Sequence, residues 1–267
     1  MLESIKGIST ATKHNFYAAM AKPGGGKTYF AGTFPKPMLF VEIDSAAGVE
    51  PLKKFDDSEL SYLNIVGKPG VSILMQVLNL IKELNTTSHK YRTLVIDPYT
   101  TIQEDLRTRM IADKNGKPLN FDEHAEILEA MLVLRNKLDE LSTKMNVLVN
   151  LHVKQNENSD RIDGETDLEL IPKLTFNNGK ILLEKCDVVV YLTKKVIKVS
   201  ETENRVGFVG YVGAHPHIDT KMRTKRRMAV NGQWIENLDY EKIQKILDGV
   251  VEENAPVVEP KANPFTE

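Results

Sequence analysis

Residues Ala21, Lys22, Pro23, Gly24, Gly25, Gly26, Lys27 and Thr28 read A-K-P-G-G-G-K-T, a glycine-rich turn closed by a lysine and a hydroxyl. Three successive glycines allow backbone angles that other residues avoid, so consecutive N–H groups can point into one concavity suited to an anion. The string fits G-x-x-x-x-G-K-[ST] except that Ala21 stands at the first glycine position. Chemistry of that kind cradles a nucleoside triphosphate, most simply ATP with Mg²⁺. Lys27 reaches the β- and γ-phosphates, and the Thr28 hydroxyl ligates the metal. The plainer reading is a lysine-capped turn between strand and helix. Its setting, between an apolar run at 14–19 and a helical segment at 26–33, favours phosphate binding.

A metal held on such a loop needs a carboxylate opposite. Leu94-Val95-Ile96-Asp97 puts an aspartate at the C-terminal end of an apolar strand, where ligands sit in parallel sheets. Read alone, Asp97 could simply cap the next helix; after the glycine loop it is the expected Mg²⁺ partner. Glu42 and Asp44 end another apolar run, and either could orient the attacking water as a catalytic carboxylate or be a solvated strand end. Asp44 is preferred for its place at the tip. His152, with Asn150 two residues before it, ends the run 146–151 and could sense the γ-phosphate, although a lone histidine is more often structural.

These side chains need a scaffold, and the hydrophobic pattern supplies one. Continuous apolar runs at 38–43, 93–96, 146–151 and 188–192 read as strands buried on both faces. Between them, helical spacing appears over 71–84, from 101, and along the stripe Ile127, Met131, Leu134, Leu138 and Leu141. The expected fold class is α/β, a mostly parallel central sheet flanked by helices. After residue 193 short strands at 194–200, 205–212 and 221–230 follow without helices between them, and should form an antiparallel C-terminal extension. A last amphipathic helix is expected at 239–250.

The chain of 267 residues, 41% hydrophobic and 27% charged, suits one α/β domain, expected over 1–251. No apolar stretch approaches the roughly 20 residues that span a bilayer, and the single Cys186 excludes an internal disulfide framework. A cytoplasmic location with no membrane partner is the expectation. A formal charge of −2 argues against a polycationic DNA binder, yet Lys221, Arg223, Lys225, Arg226 and Arg227 crowd five cations into seven positions. Residues 252–267 carry Glu252, Glu253, Glu259 and Glu267 among prolines, and read as a disordered acidic tail able to recruit a protein partner.

The order of AKPGGGKT (21–28), FVEID (40–44), YRTLVID (91–97), NVLVNLH (146–152) and KCDVVVYL (185–192) resembles the RecA-like P-loop NTPase core. It is similar in particular to small phage AAA-type proteins of the Sak-four group, implicated in single-strand annealing and recombination. The resemblance implies an ATPase that acts on single-stranded DNA and self-associates as a ring or filament. It places Asp44 where RecA-type proteins carry a catalytic glutamate, and His152 or Asn150 on the sensor strand. Its two DNA-binding loops would correspond to 113–122 and to 155–179, a long polar stretch with Arg161, Lys173 and Asn178. The basic run 221–227 then suits a finger delivered to a neighbouring site, a track for a DNA backbone, or a solvated strand. Two other functions fit the same glycine loop: a small-molecule kinase, and a nucleotide-gated adaptor with little turnover.

Overall fold

The computed structural model describes residues 15–43, 49–55, 58–158, 167–198, 204–222 and 232–249. Asp44, Arg223, Lys225, Arg226, Arg227 and the acidic tail 252–267 lie outside the described residues.

The apolar runs become the strands β1 (Phe16–Ala21), β2 (Met38–Ile43), β4 (Thr93–Asp97), β5 (Asn146–Asn158) and β7 (Val188–Lys198). With β3 (Leu60–Ile65) they pair in parallel in the order β7-β1-β5-β4-β2-β3. Beyond β7 the sheet turns antiparallel through β8 (Asn204–Val212) and β10 (Gln233–Glu236), while the two-residue β9 (Lys221–Met222) pairs with the start of β7. The fold is therefore α/β, with the mostly parallel sheet and antiparallel extension that the pattern predicts.

Strand alternation sorts the core into two layers. Phe16, Ala18 and Met20 of β1 face one side with Leu94, Ile96, Val147 and Val149. There they meet α2 (Ile73–Thr86), α3 (Thr100–Asp113), α4 (Phe121–Leu141) and α5 (Phe176–Lys185). Tyr17, Ala19 and Ala21 face the other side, with Phe40, Val95 and Leu148, against the short α1 (Lys27–Gly32) and α6 (Tyr240–Leu247). Helix α4 starts in a capping box between Asn120 and Glu123, and Asp239 caps α6 by accepting from Lys242 N–H at 2.8 Å. Helix α6 is tied to the glycine-loop helix, since Tyr240 N–H donates to Thr33 Oγ1 at 3.0 Å.

Several boundaries differ from the sequence reading. The described part of 155–179 carries strand and helix, while Arg161, within 159–166, lies outside the described residues. Strand β5 continues to Asn158 and pairs antiparallel with β6 (Asp167–Pro172), so a two-stranded arm leaves the sheet, and α5 begins at Phe176. Polar composition hid it, because an arm pairs through backbone groups and needs few apolar residues. Asn178 is buried and gives its Nδ2 to Gln103 Oε1 at 2.7 Å, so it secures α5 to α3 rather than facing a phosphate. The expected loop 113–122 is found as the connection 114–120 between α3 and α4, where Lys114 Nζ donates to Glu123 Oε2 at 2.8 Å. Strands β3 and β10 leave little mark in the sequence. Their exposed or short faces carry little of the alternation that marks a strand.

Candidate functional site

The glycine loop leaves β1 at Ala21 and enters α1 at Lys27. Gly24 and Gly26 hold φ angles of 72° and 97°, the left-handed region that glycine adopts freely. Gly25 is required for space. A Cβ there would stand 2.7 Å from Ala21 Cβ and 3.0 Å from Lys22 O. The methyl of Ala21 thus fills room that Gly25 leaves, which accounts for alanine at the first position of the pattern. Gly25 N–H closes the turn on Lys22 O at 3.0 Å. Gly26 caps α1 without any side-chain acceptor, so the first N–H groups of the helix remain available to an anion.

Lys27 is buried beneath the loop, and its Nζ donates to Ala21 O at 3.2 Å. Burial pulls its pKa below the ordinary lysine value, and the charge of Asp97 opposes that pull. Thr28 Oγ1 donates to Asp97 Oδ2 at 3.1 Å, joining the loop to the end of β4. Asp97 is only 9% exposed. Desolvation raises its carboxyl above the ordinary range, opposed by the nearby Asn150 amide, Lys27, the Thr28 hydroxyl and His152.

Strand register assembles the remaining polar groups. Strand β5 lies between β1 and β4, with Asn150 beside Ala19 and His152 beside Ala21. Glu42 is the direct partner of Asp97 across β2 and β4. By alternation, Glu42, Asp97, Asn150 and His152 all project to the face that carries α1. Asn150 is fully buried, yet neither its Oδ1 nor its Nδ2 makes a hydrogen bond, and His152 Nδ1 is likewise unpaired. Buried polar atoms without partners are costly, and a bound group that pairs with them would relieve that cost.

This cluster fits a Mg²⁺–nucleotide. A hydroxyl and a carboxylate supply hard oxygen ligands, a buried carboxylate with a raised pKa gains from a divalent cation, and the glycines form a concave backbone cradle. Glu42 is already engaged, accepting from Tyr62 OH at 2.6 Å, and desolvation together with this contact pushes the Tyr62 hydroxyl up to about 12. Lys221 lies on β9 beside Val189, near the N-terminal end of the parallel strands and away from the glycine loop, with its Nζ donating to Glu184 O at 2.9 Å.

Comparison with protein families matches residues 13–224 to the family described as an AAA domain. The chain belongs to that family. As an AAA domain it is a nucleotide-binding protein of the P-loop ATPase class, and the matched span takes in every strand from β1 to β9. Among solved structures, a KaiC-like protein from the archaeon Pyrococcus horikoshii is similar at 13% identity, with TM-score 0.42, over 87% of this chain and 92% of its own. A search of curated proteins finds no match to this AAA domain. Among the described residues no helix is long and apolar enough to cross a membrane.

The sequence reading missed three residues beside the loop: Tyr29, Phe208 and Asn237. With Gly25 and Gly26 they line one cleft. Only the pairing of β8 with β7 brings Phe208 to the glycines, and no local pattern carries that information.

Proposed function

We propose that this AAA domain hydrolyses ATP and uses the cycle on single-stranded DNA, in annealing or recombination of the phage Sak-four kind. The observation that carries the ATPase reading is the meeting of Thr28, Asp97, Asn150 and His152 on the α1 face of adjacent strand ends. In this reading Lys27 neutralises the β- and γ-phosphates, while Thr28 and Asp97 hold Mg²⁺ directly or through water. Asn150 and His152 sense the γ-phosphate. The water is oriented by Asp44 or, if Tyr62 releases it, by Glu42.

The DNA reading is supported by the resemblance and by the layout of β5. The strand that carries Asn150 and His152 continues without interruption into the β5–β6 arm. Lys173, just after β6, donates its N–H to His152 O at 2.7 Å, and its Nζ pairs with Glu104 on α3 at 2.9 Å. A change at the phosphate end of β5 therefore has a short covalent and hydrogen-bonded route to the arm. The same proposal takes the chain as one domain over 1–251, self-associating as a ring or filament in the cytoplasm. It assigns the run 221–227 to a neighbouring subunit or a DNA backbone, and the tail 252–267 to a protein partner.

The test is ATP turnover with and without single-stranded DNA, beside a Lys27→Ala control. DNA stimulation of wild-type turnover, absent in the control, is expected. Turnover that ignores DNA, together with no DNA retention at low salt in the presence of ATP, rejects the DNA role.

A further inference from the structure

We propose that the cleft between Tyr29 and Phe208 seats the base of the bound nucleotide, and that it holds a purine by stacking. The proposal rests on the P-loop reading and adds the other end of the ligand. Thr28 and Asp97 place the metal, and so the γ-phosphate, on the β5 and β4 side of β1. The nucleoside must then leave the loop on the opposite side, where the sheet order puts β7 and β8. The cleft lies there. Gly26 is on its rim, Leu192 and Leu238 are its buried floor, and Tyr29 and Phe208 are its flanks.

Tyr29 and Phe208 are 43% and 42% exposed, although the cleft floor beside them is buried. Apolar ring surface left in water next to a phosphate cradle gains by being covered, and a flat base covers it by stacking. Phe208 is fixed at its backbone and touched at its ring. Its carbonyl accepts from Asn237 N–H at 2.8 Å, and the Lys194 ammonium lies 5.1 Å from its ring. Asn237, itself in the left-handed region at φ 48°, adds a polar edge to an otherwise apolar cleft. Stacking between rings rewards π-surface, so a two-ring base should be preferred to a one-ring base.

Phe208 could instead only prop the loop, since a Cβ at Gly26 would stand 3.0 Å from its ring. Titration calorimetry with Mg²⁺ separates the two roles, using ATP, CTP and inorganic tripolyphosphate as probes. In the wild type, ATP should bind about tenfold tighter than tripolyphosphate and more tightly than CTP. Phe208→Ala should weaken ATP about tenfold and leave tripolyphosphate unchanged. Equal weakening of both ligands, no change in either, or equal affinity of the wild type for ATP and CTP overturns the proposal. Lys27→Ala should weaken ATP and tripolyphosphate together. Failure of tripolyphosphate to bind the wild type would reject the P-loop reading itself, a result distinct from failure of the base cleft.

Discussion

Thr28 and Asp97, far apart in the chain, meet through a hydroxyl–carboxylate hydrogen bond of 3.1 Å at the mouth of the sheet. This contact joins the loop that cradles phosphate to the strand end that supplies the carboxylate, and it sets the side on which a metal can bind. It also keeps a charge in a poor place. The Asp97 carboxyl is raised by burial, so the folded protein bears a cost once that group ionises.

Replacing Asp97 by Asn should therefore separate stability from function. Because the folded pKa lies above the unfolded one, the stability linked to the protonated form is full below the unfolded value and is lost as pH rises through the folded value. At neutral pH Asp97→Asn should raise the melting temperature of the nucleotide-free protein by about 2–4 °C, as ~1 kcal/mol does in a chain of this size. Mg²⁺-dependent ATP turnover should fall at least about a hundredfold. Calorimetric melting and a phosphate-release assay check the two halves.

The glycines should not respond alike. Gly25→Ala drives a methyl against Ala21 Cβ, Lys22 O and Leu192 O, and should cost about 1–3 kcal/mol and abolish nucleotide binding. Gly24→Ala meets nothing within 4 Å, so its cost is only the positive φ, about 1–2 kcal/mol, with binding retained. Denaturant unfolding and ATP titration of both variants would show whether they separate this way.

Asn150 offers a third contrast. Its side chain is buried without a hydrogen bond, so Asn150→Leu should leave stability unchanged or raise it by ~1 kcal/mol. The same variant should bind ATP normally but lose turnover by about a hundredfold, because the γ-phosphate sensor is gone. A drop in ATP affinity equal to the drop in turnover would contradict a sensing role.

Phe121 stands at the start of α4, beside the turn from α3, and is 86% exposed. If single-stranded DNA crosses this turn, Phe121→Ala should weaken DNA retention about tenfold while DNA-free turnover is unchanged. Filter binding at fixed salt, with turnover as the control, decides it.

Lys195 places its ammonium 3.4 Å from the ring centre of Trp234, the single tryptophan of the chain. Burial pulls the lysine down from 10.5 to about 8. Its stabilising contribution is full above 10.5 and is lost as pH falls through about 8. Trp emission should step with a midpoint near that value, and Lys195→Met should remove the step.

The glycine loop, Asp97 and the runs that become β1, β2, β4, β5 and β7 were legible in the sequence. Each is written locally, in glycine freedom, in apolar continuity, or in a charge placed at the end of an apolar run. What the sequence left open is pairwise and distant. Whether Glu42 or Asp44 serves the site depends on how β2 is paired, since its register against β4 sets Glu42 beside Asp97 and its register against β3 gives that carboxylate to Tyr62. That β5 lies between β1 and β4, placing Asn150 and His152 on the α1 face, follows from parallel pairing between strands separated by helices. The β5–β6 arm and the approach of Phe208 to Gly26 are decided in the same way. Local chemistry named the phosphate loop. Only the packed sheet, through hydrogen bonds between strands remote in the chain, determined what faces it.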